Sequence, residues 1–300
     1  MNKNSTMTTG YLLVIIAGVC WGTMSIFVND LNGLGLNSFH IMAIRAYLSV
    51  AFLFVLLLIK DRKLLRIAIK DIWIFIGSGI LSLTFFSYCY FNTITKSGAA
   101  IAVVLLYTSP VFVMLFSAVA FKEKITKRKI IAIVLTTFGC VMVAGLLGNG
   151  NRIGVFDFLV GLGAGFGYAL YSLFAGFAVK KYSALTITFY TLVFSGLAIP
   201  FLTDVPGLMT VLADNITTHW IYILGVSLVC TVIPYVCYTV GLDRMDKGKA
   251  AVLVTVEPVV GALLGIFVFK EAVDAFKIIG ILLIFAAVIT LSINENQVNN

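Results

Sequence analysis

Apolar runs about twenty residues long follow one another along the chain, separated by short segments that carry most of the charges. A run of that length, folded as a helix, crosses the roughly 30 Å hydrocarbon core of a bilayer. Hydrophobic residues make up 61% of the 300 residues and charged residues only 11%, whereas soluble globular chains carry about 25% charged residues. The pattern therefore predicts an all-α integral membrane protein and excludes a soluble enzyme, a fibrous protein and a disordered chain.

Clusters of charge, Gly and Pro divide the chain into ten candidate transmembrane helices. These cover about residues 10–29, 38–59, 72–95, 99–121, 129–147, 155–179, 184–203, 219–241, 250–269 and 275–293. The segments between them place 16 Lys and Arg residues on the side of the N-terminus and four on the other side. Because an excess of Lys and Arg marks the cytoplasmic side, we expect both termini, residues 1–9 and 294–300, in the cytoplasm. The expected location is the inner or plasma membrane.

The chain matches itself when it is shifted by 148 residues. Counting every match, 16 positions between residues 89 and 135 are identical to their shifted counterparts. The most specific matches are Cys89-Tyr90 with Cys237-Tyr238, Pro110-Val111 with Pro258-Val259, Phe121-Lys122-Glu123 with Phe269-Lys270-Glu271, and Lys129-Ile130-Ile131 with Lys277-Ile278-Ile279. Apolar bias does not produce a Pro, a Phe-Lys-Glu and a Lys-Ile-Ile in one register.

This register predicts two repeats of five helices, residues 10–147 and 148–293. Because five is odd, the second repeat enters the membrane with the opposite orientation. Inverted repeats are typical of secondary transporters, in which one half rocks against the other around a site near the membrane midplane. Since one chain supplies both halves, we expect a monomer to be functional.

Several motifs resemble the ten-helix EamA-type branch of the drug/metabolite transporter superfamily. They are the early Gly18-Val19-Cys20-Trp21-Gly22 helix, the Thr108-Ser109-Pro110-Val111 and Val256-Glu257-Pro258-Val259 segments, and the Phe-Lys-Glu sequence after each. The resemblance extends over roughly residues 10 to 293. It implies a proton-linked or facilitative carrier, commonly an exporter, with a central cavity lined by helices from both halves. It does not specify the substrate, since the family moves amino acids, nucleotide precursors, sugars, amines and drugs.

Glu257 is an ionisable residue deep in a predicted span. It lies about eight residues into the ninth span, which is about 12 Å at 1.5 Å per residue and therefore near mid-membrane. A carboxylate there is costly unless it faces a cavity, a partner or a proton. Its repeat counterpart is Ser109, so the two halves differ by a titratable group. One hypothesis is that Glu257 exchanges a proton or holds a cationic substrate. The alternative is a hydrogen bond to a neighbouring helix.

Arg45 lies about 10 Å below the outer end of the second span. It either contacts substrate or anchors its helix by reaching outward to headgroups or carbonyls. His40, one turn earlier, is expected to be a hydrated polar residue at the interface rather than a proton relay. Pro110 and Pro258 occupy equivalent points of the fourth and ninth spans, where each frees a carbonyl, and they predict a hinge or a broken helix.

Aromatic residues are expected to line the cavity. Trp21 aligns with Tyr168 at an offset of 147, which makes them a symmetric pair. With Tyr90, Tyr107 and Tyr238 they could form an amphipathic wall that holds a zwitterion or an organic cation. Helix packing is the alternative for each of them. Glycines at 161, 163, 165 and 167 in the sixth span favour close helix packing.

Other functions lack their signatures in the sequence. There is no phosphate-binding loop, no His-Glu-x-x-His, no cysteine pair at zinc spacing and no nucleophile elbow. We therefore expect no catalytic residues, no metal and no cofactor. The basic residues lie in short loops without interleaved aromatics, which argues against nucleic acid as a partner. The expected partners are a small-molecule substrate and membrane lipid.

The interpretation that these features favour is a secondary transporter that exports amino acids or drug-like metabolites by alternating access. Import of a cationic amine is the nearest alternative. A membrane receptor or an assembly subunit without transport is the alternative outside transport.

Overall fold

A computed structural model describes residues 3–144, 154–270 and 275–292, and within these ranges every regular element is helical. The predicted boundary at residue 147, the tail 294–300 and Glu271 lie outside the described residues. The α-helices are α1 (Lys3–Gly22), α2 (Met24–Gly33), α3 (Ser38–Lys60), α4 (Ile72–Ile76), α5 (Phe85–Ser97), α6 (Ala99–Leu106), α7 (Ser109–Phe121), α8 (Lys127–Val143), α9 (Val155–Ala178), α10 (Ala184–Ala198), α11 (Val205–Ser227), α12 (Ile233–Arg244), α13 (Lys247–Leu253), α14 (Val256–Phe267) and α15 (Ala275–Ser292).

The protein is a multi-pass membrane protein. Eight helical segments within the described ranges are long and apolar enough to cross a bilayer, and Ala275–Leu291 is a shorter apolar helix. The eight are Thr8–Gly33, Ser38–Lys60, Ile69–Ser97, Ile101–Phe121, Val155–Ala178, Ala184–Phe201, Val205–Arg244 and Lys247–Phe267. The expected all-helical membrane class is confirmed.

The loop predicted between residues 204 and 218 is wrong, because α11 begins at Val205 and continues through this region. Pro206 lies in the first turn, where a missing N–H costs no intrahelical bond. Leu208 is buried, whereas Asp214 and Thr217 are exposed. The polar residues that suggested a loop thus occupy the exposed face of a helix.

The predicted N-terminal tail, residues 1–9, is also largely helical, since α1 begins at Lys3. The first span, predicted as one helix over 10–29, is interrupted at Thr23 between α1 and α2. The Thr23 hydroxyl donates to the Cys20 carbonyl at 2.8 Å, which stabilises this interruption.

Helices from the two halves of the chain pack against each other in corresponding pairs. Helix α1 contacts α12 and α14, while α9 contacts α5 and α7. Helix α3 packs on α10, and α8 packs along α15.

Two transmembrane segments are broken midway. One break, at Tyr107 and Thr108, separates α6 from α7, and the other, at Val254 and Thr255, separates α13 from α14. At each break a threonine hydroxyl donates to a carbonyl three residues earlier, Thr108 to Leu105 at 2.6 Å and Thr255 to Val252 at 2.5 Å. Pro110 and Pro258 follow in the first turns of α7 and α14. Each proline thus begins the second part of a broken helix.

Two further segments, Gly77–Thr84 and Leu228–Val232, are π-helical. In each, a threonine hydroxyl donates to the carbonyl five residues earlier, Thr84 to Gly79 at 3.0 Å and Thr231 to Val226 at 2.8 Å. Each bond gives the carbonyl of a buried residue a hydrogen-bond donor within the wider helical turn.

The basic connecting segments meet at one end of the bundle, which we call the basic end: residues 60–71, 122–127, 179–183 and 244–247. Lys181 Nζ lies 2.7 Å from Asp71 Oδ1, and Lys129 Nζ lies 3.1 Å from Asp246 Oδ2. At the opposite end, the described ion pairs are Lys96 with Asp157 at 3.6 Å and His219 with Asp30 at 3.9 Å.

Candidate substrate site

Helix α1 lies directly on the break between α13 and α14. A Cβ on Gly18 would be 2.5 Å from Val256 Cγ1 and 2.8 Å from the Val254 carbonyl oxygen. A Cβ on Gly22 would be 2.7 Å from the Glu257 carbonyl oxygen. At these distances neither position has room for a Cβ, so both must be glycine. The close approach fixes α1 against the backbone that carries Glu257. Neither glycine was predicted to have this role, although Gly18-x-x-x-Gly22 is a recognised signal for close helix packing in membranes.

The corresponding contact in the other half involves Gly165 of α9. A Cβ there would clash with Thr108 Oγ1 and would lie 2.7 Å from the Leu105 carbonyl oxygen. The glycines of the sixth span therefore allow close helix packing on two neighbours. Gly161 and Gly165 face the end of α6 and its break, whereas Gly163 and Gly167 face α5.

Glu257 lies in the first turn of α14, immediately after the break. Its carboxyl group lies near the hydroxyl of Tyr107, which lies in the other break and is 4% exposed. One carboxyl oxygen, Oε2, is buried and has no hydrogen-bond partner among the described residues. The two broken helices thus meet at Glu257, which keeps one oxygen available for a ligand or a proton.

Aromatic side chains surround this point. The hydroxyls of Tyr90 and Tyr168 lie within range of charge interaction with Glu257. The Tyr168 hydroxyl is buried and without a hydrogen-bond partner in the described part of the chain. Tyr90 packs against Phe86, with ring centroids 5.6 Å apart. Ser109, the repeat counterpart of Glu257, is buried at the start of α7.

Trp21 is the centre of the aromatic cluster. Its ring centroid lies 6.3 Å from that of Tyr168, 5.2 Å from Tyr235 and 5.7 Å from Tyr238. Tyr238 is held by a hydrogen bond of 2.8 Å between its hydroxyl and that of Ser172. The pair that the offset of 147 joins, Trp21 and Tyr168, is therefore in contact.

A small cavity lies within this cluster. It is lined by Trp21, Ser82, Leu83, Phe86, Tyr168, Tyr171, Tyr235 and Tyr238. Its volume of ≈ 10 Å³ is about the minimum that one water molecule needs. Tyr171 and Tyr235 were not predicted, although both lie within a helical turn of residues that were. In this conformation the aromatic rings close on one another, so the cavity is occluded.

Arg45 points into the protein rather than outward to headgroups. Its Nε donates to Thr231 Oγ1 at 2.9 Å and its Nη2 to the Cys230 carbonyl at 3.4 Å, while Nη1 lies 3.6 Å from Met24 Sδ. The guanidinium thus joins α3 to the π-helical segment of the second half. It interacts with the charge of Glu257 at a distance, without an ion pair among the described contacts.

His40 caps the start of α3. Its backbone N–H donates to Asn37 Oδ1 at 2.9 Å, and its ring Nδ1 accepts from the Asn37 N–H at 3.4 Å. His40 is thus engaged with Asn37 in a capping box at the start of α3.

Comparison with known proteins identifies the family. The model of the EamA-like transporter family matches residues 8–145 and 156–293. The chain is 26% identical over 284 residues to an uncharacterized transporter of Archaeoglobus fulgidus, covering 94% of this chain and 96% of that protein. It is 24% identical over 302 residues to the uncharacterized inner membrane transporter YicL of Salmonella typhimurium, with 96% of each chain covered. A solved crystal structure has the same fold, with a TM-score of 0.79, 17% identity and coverage of 98% of this chain and 99% of the other. The chain therefore belongs to the EamA-like transporter family, a family of membrane transporters rather than enzymes.

Proposed function

We propose that this protein is a secondary transporter that exports amino acids or drug-like metabolites across the cell membrane by alternating access. The observation that carries the proposal is the buried Oε2 of Glu257, which has no hydrogen-bond partner among the described residues and lies at a break in a transmembrane helix, near Tyr107 of the second break. A solute and a coupling proton can compete for such a carboxyl group.

We further propose that ten spans form two inverted repeats, residues 10–147 and 148–293, with the substrate site between them. Corresponding contacts support this arrangement. Gly77 faces the ring of Phe174, and its counterpart Gly225 faces the ring of Phe27. Lys122 and Lys270, which are 148 residues apart, are both left-handed, with φ of 56° and 57°. Neither pair is expected from unrelated halves.

In this proposal Glu257 binds either a proton or the ammonium group of the solute. The aromatic faces of Trp21, Tyr168 and Tyr238 hold the apolar part of the solute and also attract an ammonium group. Pro110 and Pro258 mark the points at which the broken helices flex. Arg45 holds α3 against the π-helical segment of the second half. That it also contacts the carboxylate of a zwitterionic solute is a prediction. The occluded cavity is then an intermediate that must widen to admit solute.

Import of a cationic amine uses the same aromatic rings and acid, so the experiment must resolve direction as well as substrate. Purified protein is first screened by thermal shift at two pH values with amino acids, quaternary amines and common toxicants. Compounds that stabilise it are then followed in proteoliposomes with an imposed pH gradient of either sign. The gradient that drives accumulation distinguishes export from import.

The test variant is Glu257→Gln, which keeps the side-chain shape and removes the titratable group. We expect it to lose dependence of transport on the pH gradient. Asp214→Asn, which removes an exposed acid of α11, is the matched control and should transport as the wild type does. Unaltered pH dependence in Glu257→Gln would exclude the coupling role. If no compound stabilises the protein and none is moved, a receptor or assembly role replaces transport.

A further inference from the structure

The Phe121-Lys122-Glu123 motif has no part in the substrate site. It recurs in the second half as Phe269-Lys270-Glu271. It follows α7 at the basic end of the bundle. Lys122 adopts the left-handed conformation, with φ of 56°, and ends the helix. The chain then turns toward the segment that begins α13. The Glu123 carboxylate accepts from the backbone N–H of Lys247 at 2.9 Å and from that of Gly248 at 3.4 Å.

Lys129 completes a buried group of charges around Glu123. It is 2% exposed, and its Nζ lies 3.6 Å from Glu123 Oε2 and 3.1 Å from Asp246 Oδ2. Its ammonium group also donates to the Lys124 carbonyl at 3.0 Å. Lys247 Nζ lies 3.9 Å from Glu123 Oε1. Two bases and two acids thus balance in this group, in which Lys129 and Glu123 are nearly buried and Asp246 is exposed.

Phe121 anchors the same region to the end of α9. Its ring centroid is 4.9 Å from that of Phe177, and the ammonium groups of Lys247 and Lys180 lie 5.0 and 5.4 Å from it. The ring fits because Gly176 has no side chain. A Cβ added at this position would lie 2.6 Å from Phe121 Cζ. A residue of any other type at 176 would displace the ring.

Several of these contacts cross between the halves of the chain, namely those of Glu123 with the segment at Lys247, of Lys129 with Asp246, and of Phe121 with the end of α9. The contacts of Lys129 with Glu123 and Lys124 lie within the first half. Phe121, Glu123 and Lys129 belong to the first half, whereas Asp246 and Lys247 belong to the second. The described ion pairs at the opposite end also cross between the halves, but they are more exposed. The side chains of Lys96 and Asp157 are 52% and 29% exposed, whereas those of the cross-half pair Lys247 and Glu123 are 16% and 8% exposed. Separating the halves at the basic end would therefore take Asp246 from the buried Lys129, and the N–H donors of Lys247 and Gly248 from the buried Glu123 carboxylate, which is costly.

We propose that Phe121, Glu123 and Lys129, with Asp246 and Lys247, form a latch that holds the basic end closed until the halves rock apart. The inference rests on the alternating access proposed above. In this arrangement the Phe-Lys-Glu sequence sets the resting equilibrium between the two access states. The central cavity then opens by preference at the end opposite the latch.

Two variants weaken the latch without removing a large side chain. Glu123→Gln keeps an oxygen that accepts from the N–H of Lys247 but loses the charge that faces the ammonium group of Lys247 and strengthens the bonds to the second half. Asp246→Asn removes the charge of a side chain that is 48% exposed, so it perturbs folding less. Lys96→Gln, at the opposite end, is the matched control because it also removes one cross-half ion pair. Elution as one symmetric peak and a helical circular dichroism spectrum show that each variant is folded.

The experiment measures the distance between spin labels at Ile125 and Asp243 by pulsed electron resonance, in nanodiscs without solute. Both residues are exposed, and they lie in different halves at the basic end. We expect one short distance in the wild type and in Lys96→Gln. In Glu123→Gln a second, longer distance should appear, with the open fraction raised about tenfold relative to the closed fraction, and less in Asp246→Asn.

Unchanged distance distributions in folded Glu123→Gln and Asp246→Asn would overturn the latch. Because the measurement needs no solute, this failure is distinct from the failure of the proposed transport, which the proteoliposome assay reports. A latch that opens in a protein that moves no solute would retain the conformational inference and reject its use in transport.

Discussion

Glu257 and Arg45 are charged residues that one half of the chain carries and the other half lacks. At the position of Glu257 the first half has Ser109, and at the position of Arg45 the second half has Val193. The sequence predicted their depths, because depth follows from distance along a helix. It did not predict their partners. Tyr107 lies 150 residues before Glu257, and Thr231 lies 186 residues after Arg45, so only the packing of the helices brings them together.

Replacing Tyr107 by Phe tests the contact between the two breaks. The change keeps the ring and removes the hydroxyl that lies near the Glu257 carboxyl, whose Oε2 already has no hydrogen-bond partner among the described residues. We expect a loss of about 1–3 kcal/mol of stability, measured as a lower midpoint of thermal unfolding in detergent. Tyr88→Phe, on a side chain that is 47% exposed, is the control and should unfold as the wild type does. Equal midpoints for Tyr107→Phe and the control would argue against a stabilising contact between the Tyr107 hydroxyl and Glu257.

Some features of the helices were predicted from the sequence and others were not. Apolar length was enough to place most spans, and the paired prolines pointed to the two broken helices. The π-helical segments at Gly77–Thr84 and Leu228–Val232 were not foreseen, since a wider turn depends on which carbonyl a threonine hydroxyl reaches. The start of α11 was missed because its polar residues suggest a loop. In the structure these residues lie on the exposed face of a helix.

Gly18→Ala tests the packing of α1 on the break before Glu257. The added Cβ would meet Val256 Cγ1 at 2.5 Å and the Val254 carbonyl oxygen at 2.8 Å, and the backbone of α14 cannot yield without moving Glu257. We expect a loss of about 1–3 kcal/mol, as for other overpacked interiors, together with weaker solute binding. Gly33→Ala is the matched control, because a Cβ there meets nothing within 4 Å. A normal unfolding midpoint and normal binding in Gly18→Ala would show that the helices are not in contact as described.

For the whole molecule, the distribution of charge and the geometry agree on which segments share an end. The segments that the sequence assigned to one side by their Lys and Arg residues are joined in the structure by Lys181 to Asp71, by Lys129 to Asp246, and by Lys180 and Lys247 around Phe121. Which membrane face this end occupies follows from a different argument. Basic loops are retained in the cytoplasm during insertion, so we expect the basic end to be cytoplasmic.

Labelling of introduced cysteines in intact cells tests this orientation. Ile125→Cys lies at the basic end and Asn32→Cys at the opposite end, and both positions are exposed. A membrane-impermeant maleimide should label Asn32→Cys in intact cells, whereas Ile125→Cys should be labelled only after the membrane is opened. The wild type is the background control, since its five cysteines are buried or half-buried within apolar helices. The reverse pattern would invert the assigned topology and would place the latch outside the cell, where it would close the outer rather than the inner access route.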